Sequence, residues 1–139
     1  MSKNLSGRDL RWIDLAGRNL TGARLTGATL FGANLYRARL VGARLDRACL
    51  FGAYLVEARL ARASARGSDL RTANLSGARL ARTGLKGADL RGANLSGADL
   101  RGANLKDANL EGANLLRARL KGAKGAKGAR ALRKRQRAG

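Results

Sequence analysis

The sequence has no histidine, no proline, one cysteine and very few aromatic residues (one Trp, two Tyr and two Phe). Without histidine, the commonest general base and metal ligand is missing, so acid–base catalysis near neutral pH would fall to an unusual carboxylate, lysine or cysteine. A single cysteine forms neither an intramolecular disulfide nor a cysteine-cluster metal site. The composition therefore favours a protein that is not an enzyme and binds no cofactor or metal.

Acidic residues are also scarce, since 9 Asp and Glu oppose 29 Lys and Arg to give a net charge of +20. No stretch approaches the roughly 20 apolar residues that span a bilayer, and the chain starts without the apolar segment of a signal peptide. We therefore expect a soluble, cytoplasmic protein with no membrane partner.

The residues that are present follow a period of five. Leucine occupies every fifth position from residue 5 to residue 120, except position 65, which is alanine. Two residues before each leucine, from Ala23 to Ala118, the residue is alanine except at Ser68 and Thr83, and two residues after the leucine it is most often glycine. The repeating unit is therefore a five-residue block.

This period fits neither a helix nor a straight strand. On an α-helix, leucines five residues apart advance by about 140° beyond a full turn and form no stripe, and on a strand they alternate between faces. A short extended segment that turns a corner after each leucine does fit, because glycine accepts the positive φ of a tight turn. The pattern predicts a solenoid with alanine and leucine inside.

Four consecutive blocks from Lys86 to Leu105, KGADL-RGANL-SGADL-RGANL, resemble the A-(D/N)-L-x-x motif of the pentapeptide repeat family. The resemblance covers about residues 4–120. It implies an all-β fold, a right-handed quadrilateral parallel β-helix with four blocks in each coil and about six coils in all. Members of this family include gyrase-protecting proteins whose acidic surfaces imitate DNA, but the fold alone assigns no function.

We divide the chain into an irregular N-terminal capping coil (1–20), a pentapeptide-repeat β-helix (21–120) and a flexible basic low-complexity tail (121–139). In the first segment, large residues occupy the inward alanine position: Lys3, Arg8, Ile13 and Arg18. We expect the charged ones to reach out past an open end while Trp12 and Ile13 cover the core. Partial fraying of this segment is the alternative.

The tail carries eight basic residues and no acidic one. Because it has so little apolar surface, we expect it to be unfolded alone, with a helix over about 129–137 forming against a polyanion. Within the β-helix, Ala65 predicts a void or an indentation between Leu45 and Leu85. A bend, a notch for a partner and drift in a tolerant repeat are its alternative explanations.

The twenty-residue register predicts columns of like charge on the outside. Arg39, Arg59 and Arg79 stack on one face, and Arg24 stacks on Arg44 on the next. Such columns repel unless an anion compensates them, and guanidinium groups on a rigid ladder suit a phosphate backbone. The candidate polyanion-binding residues are Arg24, Arg39, Arg44, Arg59, Arg79, Lys121, Lys124, Lys127, Arg130, Arg133, Lys134, Arg135 and Arg137. Arginine columns that only keep the rod soluble are the alternative.

The register also collects apolar residues on the remaining faces, where it predicts Phe31 above Phe51. The candidate protein-interface residues are Phe31, Tyr36, Phe51, Tyr54 and Val56. A self-contained aromatic ladder is the alternative, and self-association into a homodimer through this patch is also open.

These patterns favour a non-enzymatic basic β-helical scaffold that binds a polyanion (RNA, DNA or a nucleoprotein complex) through the arginine columns and the tail. The alternative is a protein-interaction module that docks on an enzyme or large complex, such as a topoisomerase-protecting protein, or a structural subunit of an assembly. A DNA-mimicking surface is disfavoured because the net charge is +20.

Overall fold

The structure is a computed structural model, and it describes residues 3–138. Within that range each block contributes a two-residue turn and one residue that pairs in a parallel β-bridge. Every bridge joins residues twenty apart, from Asn4 with Arg24 to Asn104 with Lys124. The described strands are single-residue bridges. Because bridged residues are twenty apart, the chain completes one turn every twenty residues. The predicted register is confirmed.

Backbone hydrogen bonds run both along and across these turns. The Leu40 N–H donates to the Arg59 carbonyl of the next coil (2.7 Å), and the Arg59 N–H donates back to Ala38 (2.9 Å). The Ala43 N–H closes the corner by donating to Leu40 (3.0 Å). A proline at the donating positions would remove these bonds, which explains why a chain without proline suits the fold.

The core consists of the leucines and alanines of the five-residue period, which are almost completely buried from Leu20 to Leu120 except Ala108 and Leu110, which are partly buried. Ala65 is also buried, and its N–H still donates to the Gly84 carbonyl of the next coil (2.7 Å). The polar residues at alanine positions are satisfied, because the Ser68 and Thr83 hydroxyls donate to the carbonyls of Ala65 and Leu60, each at 2.7 Å. The backbone register therefore passes this region without interruption.

The first coil differs from the rest in side-chain exposure rather than in backbone path. Its residues bridge to the second coil in the common register, while Lys3, Arg8 and Arg18 are exposed and Ile13 is half-buried. The expectation that Trp12 covers the core is wrong. Trp12 is 70% exposed and lies on an outer corner against Phe31, because the second residue of each turn points away from the interior.

The prediction of a flexible tail is also wrong. Lys124 still bridges to Asn104, and Lys127–Ala138 forms a helix, α1. The described helix buries Ala129 and packs Leu132 against the core, so it covers the C-terminal end of the solenoid.

Side chains of α1 also donate to carbonyl groups of the last coil. The carbonyls of Ala113 and Ala118 have no following coil to donate to them, and the Leu120 carbonyl also accepts from the Ala123 N–H (3.0 Å). Arg130 Nη2 donates to Leu120 (3.1 Å), Arg133 Nη1 to Ala118 (2.6 Å) and Gln136 Nε2 to Ala113 (2.7 Å). The sequence predicted a helix over about 129–137 only against a polyanion. Composition alone missed its docking on the solenoid, because the few apolar residues of the tail lie on one face, at helical spacing. No helix within residues 3–138 has the length and hydropathy needed to cross a membrane.

Candidate polyanion-binding surface

Three arginines from successive coils form one column on the outside of the solenoid, which we call the arginine ladder: Arg39, Arg59 and Arg79. Parallel bridges join each to the next, and all three side chains are exposed. Bridged residues on neighbouring strands lie about 4.8 Å apart. The ladder therefore presents three guanidinium groups in a row, as the register predicted, followed by Asp99 and Arg119.

A second, shorter column lies on the adjacent face, where Arg24 bridges to Arg44. The corner between the two faces carries Arg62 and Arg82, which adopt φ of 61° and 58° at positions where glycine is usual. Holding a non-glycine residue in this left-handed backbone conformation costs roughly 1–2 kcal/mol of conformational free energy. The two faces and their shared corner therefore form one continuous basic side.

The arginine ladder lines an open cleft of about 730 Å³ together with Arg37 and Glu57. Glu57 pairs with Arg37 at 2.6 Å, which neutralises that arginine and not the ladder. Within residues 3–138, no ladder arginine takes part in an ion pair. The positive charge of the ladder is therefore available to an external anion.

Elsewhere, the same position of the block holds asparagine or aspartate and stabilises the turn. The N–H two residues later donates to the side-chain oxygen, as at Asn74 (3.1 Å), Asn94 (3.0 Å) and Asn114 (3.0 Å). An arginine has no acceptor for this bond, and such a bond contributes about 0.5–1.5 kcal/mol. Folding therefore gives no reason for arginine at the ladder positions.

Other arginines are neutralised by the aspartate of the preceding block. Where aspartate precedes the leucine and arginine follows it, the two side chains pair, at 2.8 Å for Arg71 with Asp69 and 2.6 Å for Arg91 with Asp89. The hydrogen bond from each arginine lowers the pKa of its aspartate, against a smaller opposing effect of burial. Arg101 lowers the pKa of Asp99 in the same way. Arg71, Arg91 and Arg101 thus form a paired set, in contrast to the unpaired arginines of the ladder.

The predicted aromatic patch forms a closed stack. Phe31 and Phe51 lie parallel with ring centroids 5.3 Å apart. The edge of Trp12 covers one end at 5.1 Å, and the Arg71 guanidinium covers the other at 5.0 Å. Because both ends are covered, the two phenyl rings present little free surface to a partner.

The remaining predicted interface residues lie beside this stack. The rings of Tyr36 and Tyr54 are tilted by 38° with centroids 6.0 Å apart, and Val56 is half-buried. Tyr54 is 44% exposed, and Arg37 lies over the Tyr36 ring at 5.1 Å. The structure brings the five residues into one region, whose most accessible member is Tyr54.

The predicted residues of the tail lie around the C-terminal end. Lys121 and Lys124 are exposed on the last coil, and on α1 all are exposed except Arg133, which is half-buried: Lys127, Arg130, Arg133, Lys134, Arg135 and Arg137. The folded helix holds these charges at fixed positions beside the solenoid, rather than on a mobile arm.

Sequence reasoning missed two devices. One is the pairing of aspartate with arginine across the leucine, which the recurrent D-L-R triplets signal. The other is the docking of α1 through Arg130, Arg133 and Gln136, for which the spacing of Ala126, Ala129 and Leu132 is the signal. Between residues 3 and 138, no three His, Cys, Asp or Glu side chains group as metal ligands would.

The family model and the similar solved structures agree on one protein family. The family model described as pentapeptide repeats matches residues 9–47, 48–87 and 88–124. HetL of the cyanobacterium Nostoc sp. strain PCC 7120, a pentapeptide repeat protein involved in heterocyst differentiation regulation, is 32% identical. That match covers 87% of this chain and 73% of HetL, with a TM-score of 0.44.

Two further solved structures are similar. The pentapeptide repeat protein Rfr23 of Cyanothece 51142 is 30% identical over 87% of this chain and 86% of its own, with a TM-score of 0.38. QnrB1, a plasmid-mediated fluoroquinolone resistance protein, is 19% identical over 99% of this chain and 92% of its own, with a TM-score of 0.49. No curated protein matches the sequence. On the family match and the identity to HetL, this chain belongs to the pentapeptide repeat family.

Proposed function

We propose that this protein is a non-enzymatic scaffold that binds a polyanion, RNA or DNA, through its basic side. The observation that carries the proposal is the unpaired arginine ladder, Arg39, Arg59 and Arg79, at positions where asparagine would stabilise the turn. Residues that add repulsion and forgo a hydrogen bond are best accounted for by a ligand that compensates them.

The contacts would be to phosphates rather than to bases. Guanidinium groups make charge-assisted, often bidentate, hydrogen bonds to phosphate. The phenyl rings that would stack on bases are covered by each other, Trp12 and Arg71, and sequence-tolerant single-strand binding normally uses such stacking. We therefore expect binding that depends on salt and varies little with base sequence.

The test compares two triple variants of equal net charge. In the first, Arg39, Arg59 and Arg79 are each replaced by glutamine, and in the matched control the paired Arg71, Arg91 and Arg101 are replaced instead. We expect the ladder variant to lose affinity for duplex DNA or RNA at least about tenfold, and its log Kd to depend on log salt less steeply by up to about 3 units of slope. The control should keep most of its affinity.

Equal losses in the two variants would mean that only net charge matters, and absence of binding to either nucleic acid would overturn the proposal. Recovery of the tagged protein from lysate, with and without nuclease, tests the alternative of a protein partner. Loss of all partners after nuclease supports the polyanion function. A stoichiometric protein that stays bound favours docking through the region of Tyr54.

A further inference from the structure

Five basic side chains from two different elements converge at the junction between the last coils and α1. They line an open cleft of about 470 Å³ together with Leu120. The solenoid contributes three of them and α1 contributes two: Arg101, Arg119, Lys121, Arg130 and Arg133. The cleft exists only because α1 folds back onto the solenoid.

The two helix arginines are held in place by the solenoid backbone. Arg130 Nη2 donates to the Leu120 carbonyl at 3.1 Å, and Arg133 Nη1 donates to the Ala118 carbonyl at 2.6 Å. A guanidinium group has five N–H donors, so each arginine retains further donors for a ligand. The positions of these two cations are thus fixed before any ligand arrives.

The carboxylate that pairs with a member of this cluster is Asp99. Both Nε and Nη2 of Arg101 donate to it, each at 2.8 Å. Arg119 and Lys121 are exposed and form no ion pair within residues 3–138. Five cations against one carboxylate repel one another across the cleft, and a compact ligand with several negative charges would offset that repulsion.

We propose that this cleft binds an oligophosphate, a chain of linked phosphate groups such as inorganic triphosphate or the triphosphate of a nucleotide. Its lining draws cations from both the solenoid and α1 rather than from one column of the solenoid. Because the cations come from both elements, a bound oligophosphate would bridge them and hold α1 against the solenoid.

The cleft shares Lys121, Arg130 and Arg133 with the candidate polyanion-binding residues. The inference rests on the proposed function only through these three residues. The ligand is small, and Arg119 lies two coils beyond Arg79, the last arginine of the ladder, with Asp99 between them. Because triphosphate and nucleic-acid binding are measured separately on each variant, failure of one proposal is distinguishable from failure of the other.

Calorimetric titration of the full chain with inorganic triphosphate, ATP and orthophosphate tests the inference. We expect one site for each of the first two, and orthophosphate should bind at least about tenfold more weakly because it engages fewer cations. ATP binding equal to that of triphosphate would identify the phosphate chain as the recognised group, whereas tighter ATP binding would identify a nucleotide. Amide hydrogen exchange in 127–138 should slow when triphosphate is bound.

Two double variants of equal charge complete the test: Arg119→Gln with Lys121→Gln, and Arg39→Gln with Arg59→Gln as the control. The first should weaken triphosphate binding at least about tenfold and the control less than about twofold. Equal effects of the two, several weak sites per chain, or unchanged exchange in 127–138 would overturn the inference. A control variant that loses nucleic-acid binding but keeps triphosphate binding would support the inference that the cleft is a separate oligophosphate site.

Discussion

The two halves of this solenoid have the same interior and different exteriors. Behind the arginine ladder and behind the later asparagine columns, the same leucines and alanines are buried in the same twenty-residue register. Outside, the earlier coils carry the column of Arg39, Arg59 and Arg79, which continues as Asp99 and Arg119, and the neighbouring face of the later coils carries the column of Asn74, Asn94 and Asn114. Since the core determines the fold, the exterior is free to vary, and its differences report on function.

The outward residues of the two regions also contribute differently to the free energy of unfolding. Asn94 and Asn114 accept hydrogen bonds from the turn N–H groups, each at 3.0 Å, and they add no charge. The ladder arginines forgo that bond and repel one another. The basic half is therefore the one that we expect to gain stability when its outward residues are changed.

The largest effect should come from the shared core. Leu40→Ala, behind the arginine ladder, and Leu100→Ala, behind Asp99 on the same face, each empty a fully buried position. Each should lower the free energy of unfolding by about 2–5 kcal/mol, measured by denaturant titration. Losses that differ by more than about 2 kcal/mol would show that the two interiors are not equivalent.

A smaller effect should follow from placing arginines on an asparagine column. Replacing Asn74, Asn94 and Asn114 together with arginine removes three turn hydrogen bonds and creates a new column of like charge. We expect a loss of about 1.5–4 kcal/mol in the free energy of unfolding. High salt should recover the repulsive part of this loss and not the hydrogen-bonding part. No loss at all would contradict the value that we assign to the asparagine bonds.

The five-residue period was sufficient to predict the buried leucines and alanines, and the resemblance to the pentapeptide repeat family implied the twenty-residue register and, through it, the stacking of Phe31 on Phe51. The sequence was not sufficient for the two ends. Trp12 lies on an outer corner because it occupies the second position of a turn in the regular register. By contrast, α1 lies beyond the last repeat, where periodicity no longer applies, and the packing of Ala129 and Leu132 outweighed the low hydropathy of the tail.

The site was predictable to the same extent. The register places Arg39 beside Arg59, and the D-L-R triplets mark Arg71 and Arg91 in the sequence, but the folded side chains were needed to show that aspartates neutralise Arg71 and Arg91.

The smallest expected effect is a pH dependence confined to the paired set. The arginines lower the folded-state pKa of Asp69, Asp89 and Asp99 below the unfolded value of about 3.9. Their contribution is therefore complete above that pH and is lost as the pH falls through the lower, folded-state pKa. The free energy of unfolding should decrease below about pH 4.

The control for this dependence is the variant with Arg71, Arg91 and Arg101 replaced by glutamine, which lacks the pairs. Its free energy of unfolding should fall less steeply over the same range. An identical slope in both proteins would show that the pairs do not contribute.

The most direct test of the central claim, that the arginine ladder serves binding and not folding, is to replace Arg39, Arg59 and Arg79 together with asparagine. Both the free energy of unfolding and the affinity for duplex nucleic acid are then measured on the same variant. The account predicts an unchanged or higher free energy of unfolding, since turn hydrogen bonds are gained and repulsion is removed, with affinity at least about tenfold lower. A variant that is less stable by more than about 1 kcal/mol and binds as tightly as the parent would contradict it.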